Sequence, residues 1–404
     1  MKFLQKKKKR IYLDYAAATP LRHRVSEKMR MFERDVFANP SAIHADGVRA
    51  RVAIDEAREK VARLLKLRPQ HVTFTGSGTE SNNLAIMGAV EAQKHAGVPY
   101  TEMEVVTTRM EHPSISNVMN HLISLGVTVR YMDVDEEGLI VQQSLRNSIS
   151  TKTVIVSFAY VNSEIGVVQD VGKLARIVRA FEKDTNVRIY THLDAAQAPL
   201  WLSCEMDRLM VDIITLDAGK CYGPKGVGVL AVRHGVAIAS IQFGGPQEGS
   251  LRPSTENTAG IVGAAEAISI AHDGREDRVQ KVCALRDSMI DELLNIEGVV
   301  LNGSKEHRVA NNVNISIPGI DSEFAVIVLD EKGIACATKS ACSGADGAGS
   351  TVVQEITGDA SRASSTLRFT LGEETTARDI VKTLHILNKH ILKTREVTKS
   401  LTGV

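Results

Sequence analysis

Short apolar runs, each closed by a polar residue or a glycine, alternate along the chain with longer stretches whose apolar positions recur at helical spacing. Between 47 and 67, Val48, Val52, Ile54, Ala57, Val61, Leu64 and Leu65 fall on one face, which predicts an amphipathic helix. Residues 71–75 then predict a strand, as do 105–108, 127–132, 154–160, 187–190, 211–216 and 229–232. Strands alternating with helices predict an α/β fold built on a doubly wound, mostly parallel sheet flanked by helices. Further helices are expected over 25–37, 258–272 and 275–294, the last leaving the sheet domain. Beyond it, strand patterns at 311–317, 334–337 and 366–371 and helix patterns at 322–332 and 376–392 predict a smaller C-terminal α/β domain. The boundary falls near Asp273, so that 15–272 form the large domain and 1–14 with 273–404 the small one.

In such a sheet the carboxyl ends of the strands open on a crevice where ligands bind. Asp194 follows the run at 187–190 and Lys220 follows the run at 211–216. The sequence Gly223-Pro224-Lys225-Gly226 after the lysine forbids a helix and predicts a tight turn. An amine and a carboxylate at one crevice are the minimum equipment for pyridoxal phosphate, the amine binding the aldehyde and the acid keeping the ring nitrogen protonated. Two residues alone leave open an ordinary strand-end aspartate and a solvated lysine. A second signal follows the strand at 71–75, where Gly76-Ser77-Gly78-Thr79 leads into a helix. Free backbone amides and the helix dipole make that turn an anion seat. Glu111-His112 closes another strand, and the Gly/Pro/Ser-rich loop at 243–255 has the length of a functional loop.

Composition narrows the classes. The chain has 404 residues, 43% of them hydrophobic, with 49 basic against 48 acidic side chains. This is the make-up of a soluble globular protein, with no charge excess that would favour nucleic acid or a membrane as partner. Five cysteines, Cys204, Cys221, Cys283, Cys336 and Cys342, lack paired metal-type spacing, so a reducing, cytoplasmic setting without a metal site is expected. The basic run from Lys6 to Arg10 reads as a solvated arm rather than a targeting segment. Cys342 alone is embedded in small, polar, flexible residues, Ser340 to Ser350, and is expected to be accessible.

In order along the chain, Tyr12-Leu13-Asp14-Tyr15-Ala16-Ala17, Asn39-Pro40-Ser41, Gly78-Thr79-Glu80-Ser81-Asn82, Glu111-His112, Val161-Asn162-Ser163-Glu164-Ile165-Gly166, Asp194-Ala195-Ala196-Gln197, Lys220 with its Gly-Pro turn, Ser340-Ala341-Cys342 and Ser365-Thr366-Leu367-Arg368-Phe369 resemble the cysteine desulfurases, pyridoxal-phosphate enzymes of aminotransferase fold type I. The segment between Cys342 and Arg368 resembles the group with an extended catalytic loop. The resemblance implies conversion of L-cysteine to L-alanine, with the sulfur passing to a cysteine persulfide and on to an acceptor protein for iron–sulfur cluster or thiolation pathways. It implies Lys220 as the cofactor-bound lysine, Asp194 on the pyridine nitrogen and His112 against the ring and as candidate base for a thiol. It further implies Gln197 and Asn162 at the ring hydroxyl, Gly78 and Thr79 at the phosphate, Arg368 with Asn162 at the substrate carboxylate, and Cys342 as nucleophile. Thr255 is expected to reach the phosphate of the partner in a homodimer.

The pattern breaks before the lysine, where the family commonly carries a serine and a histidine that donate to the phosphate and this chain has Asp217 and Gly219. An ionised carboxylate only accepts, and losing a donor to a charged group costs on the order of 1.5–3 kcal/mol. Asp217 turned away or acting as a cap with the Gly219 amide substituting, compensation by Ser77, and a degenerate, non-catalytic paralogue in sulfur trafficking are the competing accounts. The retained Lys220, Asp194, His112, Gln197 and Cys342 favour activity. A selenocysteine lyase or other C–S lyase of the same fold is the alternative reaction.

Overall fold

The computed structural model describes residues 10–338 and 349–402. Its largest element is a seven-stranded sheet in the order β2-β8-β7-β6-β5-β3-β4. The strands are β2 (Val72–Thr75), β3 (Glu104–Thr107), β4 (Thr128–Tyr131), β5 (Thr153–Ala159), β6 (Tyr190–Asp194), β7 (Ile213–Asp217) and β8 (Gly228–Val232). Only β8 runs antiparallel to its neighbours, so the sheet is mostly parallel as the alternation predicts.

Every residue of β2, β3 and β6 is buried, because helices cover both faces. Consecutive residues of a strand therefore enter different cores. Val105, Ile213 and Leu230 pack with Leu84, Ile86 and Val90 of helix Gly78–His95 and with Ile115, Met119 and Leu122 of helix Pro113–Ser124. Val106, Ile214 and Val229 join the opposite core with Ile54 and Val61 of helix Ala45–Leu65, Leu174 and Val178 of helix Val171–Thr185, and Ile261 of helix Thr258–Asp273.

That second core continues into the C-terminal part of the chain, through Val282 and Met289 of helix Arg275–Leu294 to Val313, Leu367 and Phe369. There, β9 (Val300–Leu301), β10 (Asn312–Ser316) and β12 (Thr366–Thr370) form a three-stranded antiparallel sheet. The N-terminal strand β1 (Ile11–Tyr12) pairs in parallel with β11 (Ile334–Ala335). The final helix, Ala377–Thr402, runs well past the predicted end at 392.

Candidate active site

The carboxyl ends of β5, β6 and β7 meet the start of helix Gly78–His95 and the loop after β1 around a cavity of about 270 Å³. Asp194 and Lys220 both line it, together with Gly78, Thr79, His112, Asn162, Gln197 and Arg368. The sequence-predicted residues therefore converge, with two exceptions. Thr255 is exposed on the 243–255 loop and does not border this cavity, and Cys342 lies outside the described residues.

Asp194 closes β6. One oxygen accepts the Ala196 amide at 3.0 Å and the other accepts Asn82 Nδ2 at 2.8 Å. The same Asn82 amide nitrogen donates to Ser114 Oγ at 2.9 Å, and Ser114 Oγ meets His112 Nδ1 at 2.8 Å. Aspartate, asparagine, serine and histidine thus form one hydrogen-bonded chain along the cavity wall. Asn82 and Ser114 have no role in the sequence reading, yet Asn82 stands one helical turn after Gly78, on the side of the helix that returns to the anion seat.

His112 caps helix Pro113–Ser124, its Nδ1 accepting the Ser114 amide at 3.1 Å. Burial lowers its pKa, with Lys220 acting in the same direction against the opposing pull of Asp194. A neutral ring whose Nδ1 accepts carries its proton on Nε2, so it presents a donor. Service as a thiol base would first need that proton moved to Nδ1.

Beside Asp194 lies Glu111, half-buried as a residue but with its carboxyl withdrawn from water. Its Oε1 accepts from Thr108 Oγ1 at 2.7 Å and its Oε2 has no partner. Desolvation, with the charge of Asp194 adding to it, pushes this carboxyl up to about 8.

Lys220 ends the short 3-10 turn Ala218–Lys220, and its Nζ donates to the carbonyls of Ala16 and Ala17 at 3.0 and 2.5 Å. Gln197 Nε2 donates to Ala16 O at 2.9 Å, so the small-residue loop after β1 is held against the cavity from two sides. Arg368, on β12 and 1% exposed, donates from Nη1 to Ser163 O at 2.9 Å and from Nη2 to Asp14 Oδ1 at 2.8 Å, leaving Nε unpartnered. Asp14 is the counter-ion to which the sequence reading gives no role. Asn162 spends its carbonyl oxygen on the amides of Glu164 and Ile165 and one N–H on Met110 O; its second N–H remains for a ligand.

The strand, glycine turn and helix start of the expected anion seat follow one another as β2 and helix Gly78–His95. Ser77 caps the helix, accepting the Glu80 amide at 3.2 Å. The Gly78 amide, however, donates to Asp217 Oδ2 at 3.1 Å, and Asp217 Oδ1 accepts the Gly219 amide at 2.8 Å. Of the accounts that the sequence leaves open, the structure has the cap but not the substitution: Asp217 caps its own turn, the Gly219 amide is spent on that cap, and Asp217 also takes an amide of the seat.

Residues 11–382 match the aminotransferase class-V family. The chain belongs to that family. Among its relatives are two proteins named cysteine desulfurase IscS. One, from Dictyoglomus turgidum, is 37% identical over 97% of each chain. The other, from Clostridium botulinum, is 36% identical over 96% of each. Among solved structures, a NifS-like protein superposes with a TM-score of 0.87 at 30% identity, covering 95% of this chain and 99% of that one. One described as SspA in complex with cysteine reaches 0.77 at 30% identity, covering 91% and 100%. This member of the aminotransferase class-V family is therefore a cysteine desulfurase by kinship, and the cofactor of its family is pyridoxal 5'-phosphate. The cavity fits that group: an amine and a buried carboxylate border one space, and the guanidinium of Arg368 in its wall keeps an unpartnered N–H.

Proposed function

We propose that the cavity holds pyridoxal 5'-phosphate with Lys220 as the covalent partner, Asp194 at the pyridine nitrogen and Gly78 with Thr79 at the phosphate. The protein then takes L-cysteine to L-alanine. The observation that carries this reading is the meeting of Lys220, Asp194 and Arg368 around one cavity of about 270 Å³, an arrangement that a solvated lysine and a strand-end aspartate would not produce. When bound, the group acts as an electron sink for the substrate α-carbon.

The chain's own residues do the rest. Arg368, oriented by Asp14, receives the substrate carboxylate, and the second N–H of Asn162 supports it. Gln197 and His112 fix the ring on its hydroxyl side and on one face. Asn82 steers Asp194 by occupying one carboxylate oxygen. The amine of Lys220, released when substrate binds, moves the α-proton. The Cys342 thiolate attacks the substrate sulfur, the C–S bond breaks, and reprotonation yields alanine and a Cys342 persulfide, so that sulfur and protons balance without an outside oxidant. The other cysteines support this assignment: burial raises the pKa of Cys204 and Cys336 to about 12, and those of Cys221 and Cys283 are raised as well. Thiolate chemistry at neutral pH is therefore disfavoured at each of them.

The persulfide serves a sulfur-acceptor protein, and the working unit is a cytoplasmic homodimer in which Thr255 serves the partner's phosphate. The division into 15–272 and 1–14 with 273–404 places the cysteine loop in the smaller unit. No described helix is long and apolar enough to cross a membrane. The test is alanine and sulfide release from L-cysteine with added cofactor. Wild type is expected to form both, Cys342→Ser to lose sulfide release almost wholly while retaining cofactor absorbance, and Lys220→Ala to lose that absorbance. Sulfide release unchanged in Cys342→Ser would overturn the assignment of the nucleophile.

A further inference from the structure

The seat for the cofactor phosphate already holds an anion supplied by the chain. Gly78, whose amide opens helix Gly78–His95, donates to Asp217 Oδ2 at 3.1 Å. A β-carbon at Gly78 would stand 3.2 Å from both Cβ and Oδ2 of Asp217 and would crowd the carboxylate. Asp217 is fixed from its own side by the Gly219 amide at 2.8 Å, and it lines the same cavity as Lys220. Two cations of the surrounding loops are engaged elsewhere: Lys225 Nζ donates to Thr19 O at 2.6 Å, and Arg252 pairs with Glu80 at 3.1 Å.

We propose that Asp217 is an internal competitor for the phosphate seat, an anion that must give up the Gly78 amide before the phosphate of the cofactor can take it. The inference rests on the reading of this cavity as the pyridoxal-phosphate site. A helix N-terminus favours negative charge, and Asp217 satisfies it. A phosphate dianion entering the same turn meets a like charge at hydrogen-bond range, a charge that can only accept. The phosphate can be seated only as Oδ2 withdraws, while Oδ1 stays on Gly219. The part of the cofactor that suffers most is the phosphate, because Asp217 bonds the Gly78 amide and reaches His112 on the ring side only through its charge. Cofactor affinity is thereby lowered by the Gly78 contact that Oδ2 must give up.

The experiment compares the apo forms of wild type, Asp217→Asn and Asp217→Ser by equilibrium dialysis against pyridoxal phosphate and against pyridoxal, which has no phosphate. Asparagine keeps the size and the acceptor for Gly219 but removes the charge; serine offers a small donor in case the amide packs badly. Both variants are expected to bind pyridoxal phosphate at least about tenfold more tightly, equivalent to about 1.4 kcal/mol, with pyridoxal changed less than about twofold. Inorganic phosphate is expected to raise the melting temperature of the variants more than that of wild type. Equal affinities in all three proteins, or a gain shared by pyridoxal, would sink the competitor. Absence of Lys220-dependent absorbance in wild type and in both variants at saturating cofactor would instead sink the reading of the cavity, and the competitor with it.

Discussion

Glu111 shows how a single buried acid leaves a mark on the whole molecule. Its carboxyl is desolvated, sits near the charge of Asp194, and has one oxygen without a partner, so the neutral form is favoured and the pKa rises from 4.5 to about 8. The folded protein therefore holds a proton that the unfolded chain has released between these two values. Linkage then requires stability to fall as pH rises across that window, the contribution being complete below about 4.5 and gone above about 8. Every tenfold difference in proton affinity between the folded and unfolded chain corresponds to about 1.4 kcal/mol. Urea unfolding of wild type and Glu111→Gln at pH 5 and pH 8 tests this: wild type is expected to lose more stability between the two pH values than the variant, whose amide does not titrate. Parallel pH dependence in the two proteins would mean that Glu111 is ionised when folded. The sequence marks Glu111 only as the neighbour of His112, because nothing in the local residues tells that it turns inward beside Asp194.

At the scale of elements, strand-helix alternation and the glycine turn at Gly76–Gly78 are legible in the sequence, since periodicity and free amides are local properties. Two features are not. β6 runs Tyr190–Asp194 rather than over the apolar run at 187–190, because His192 and Thr191 are buried despite being polar. His192 finds Ser157 Oγ at 2.8 Å and Thr215 Oγ1 at 3.1 Å on the neighbouring strands, and burial holds the ring neutral with a pKa lowered to about 3. Such partners exist only once the sheet has formed, so the polar letters look like a strand end. β8 is antiparallel to β7 because the segment joining them, from Ala218 to Val227, contains only a 3-10 turn and no helix to carry the chain back across the sheet; its Gly-Pro-Lys-Gly sequence is the available signal. The anion seat itself depends on its cap. Ser77 accepts the Glu80 amide while Glu80 Oε2 accepts the Gly76 amide at 2.6 Å, a reciprocal closure of the helix start. Ser77→Ala is expected to cost about 1 kcal/mol of stability. Denaturant midpoints with an unchanged slope would show it, and a midpoint equal to that of wild type would show that the Glu80 side of the closure suffices.

At the scale of the whole molecule, the surface keeps large apolar side chains in water. Ile43 and Phe243 are each 95% exposed and Phe37 is 80% exposed. Fully burying a side chain of this kind is worth roughly 1.5–3 kcal/mol, so covering them would stabilise an assembly by several kcal/mol before the cost of association. The 243–255 loop joins this apolar surface to the cofactor question, because it carries Phe243 at one end and the exposed Thr255, which does not border its own subunit's cavity, at the other. In the proposed homodimer, a contact made through this loop would cover Phe243 and deliver the Thr255 hydroxyl to the neighbouring phosphate. Assembly and cofactor affinity become linked: whatever separates the subunits also removes a donor from each seat, and binding to the dimer alone makes cofactor stabilise the dimer by mass action. Sedimentation velocity of wild type is expected to give a dimer at micromolar concentration, and the double variant Ile43→Asp with Phe243→Asp a monomer whose affinity for pyridoxal phosphate is weaker, while Thr255→Ala keeps the dimer and reproduces only the loss of affinity. A monomeric wild type would end the proposal of a dimer; a monomeric double variant that binds the cofactor as tightly as wild type would show each cavity to be complete within its own chain.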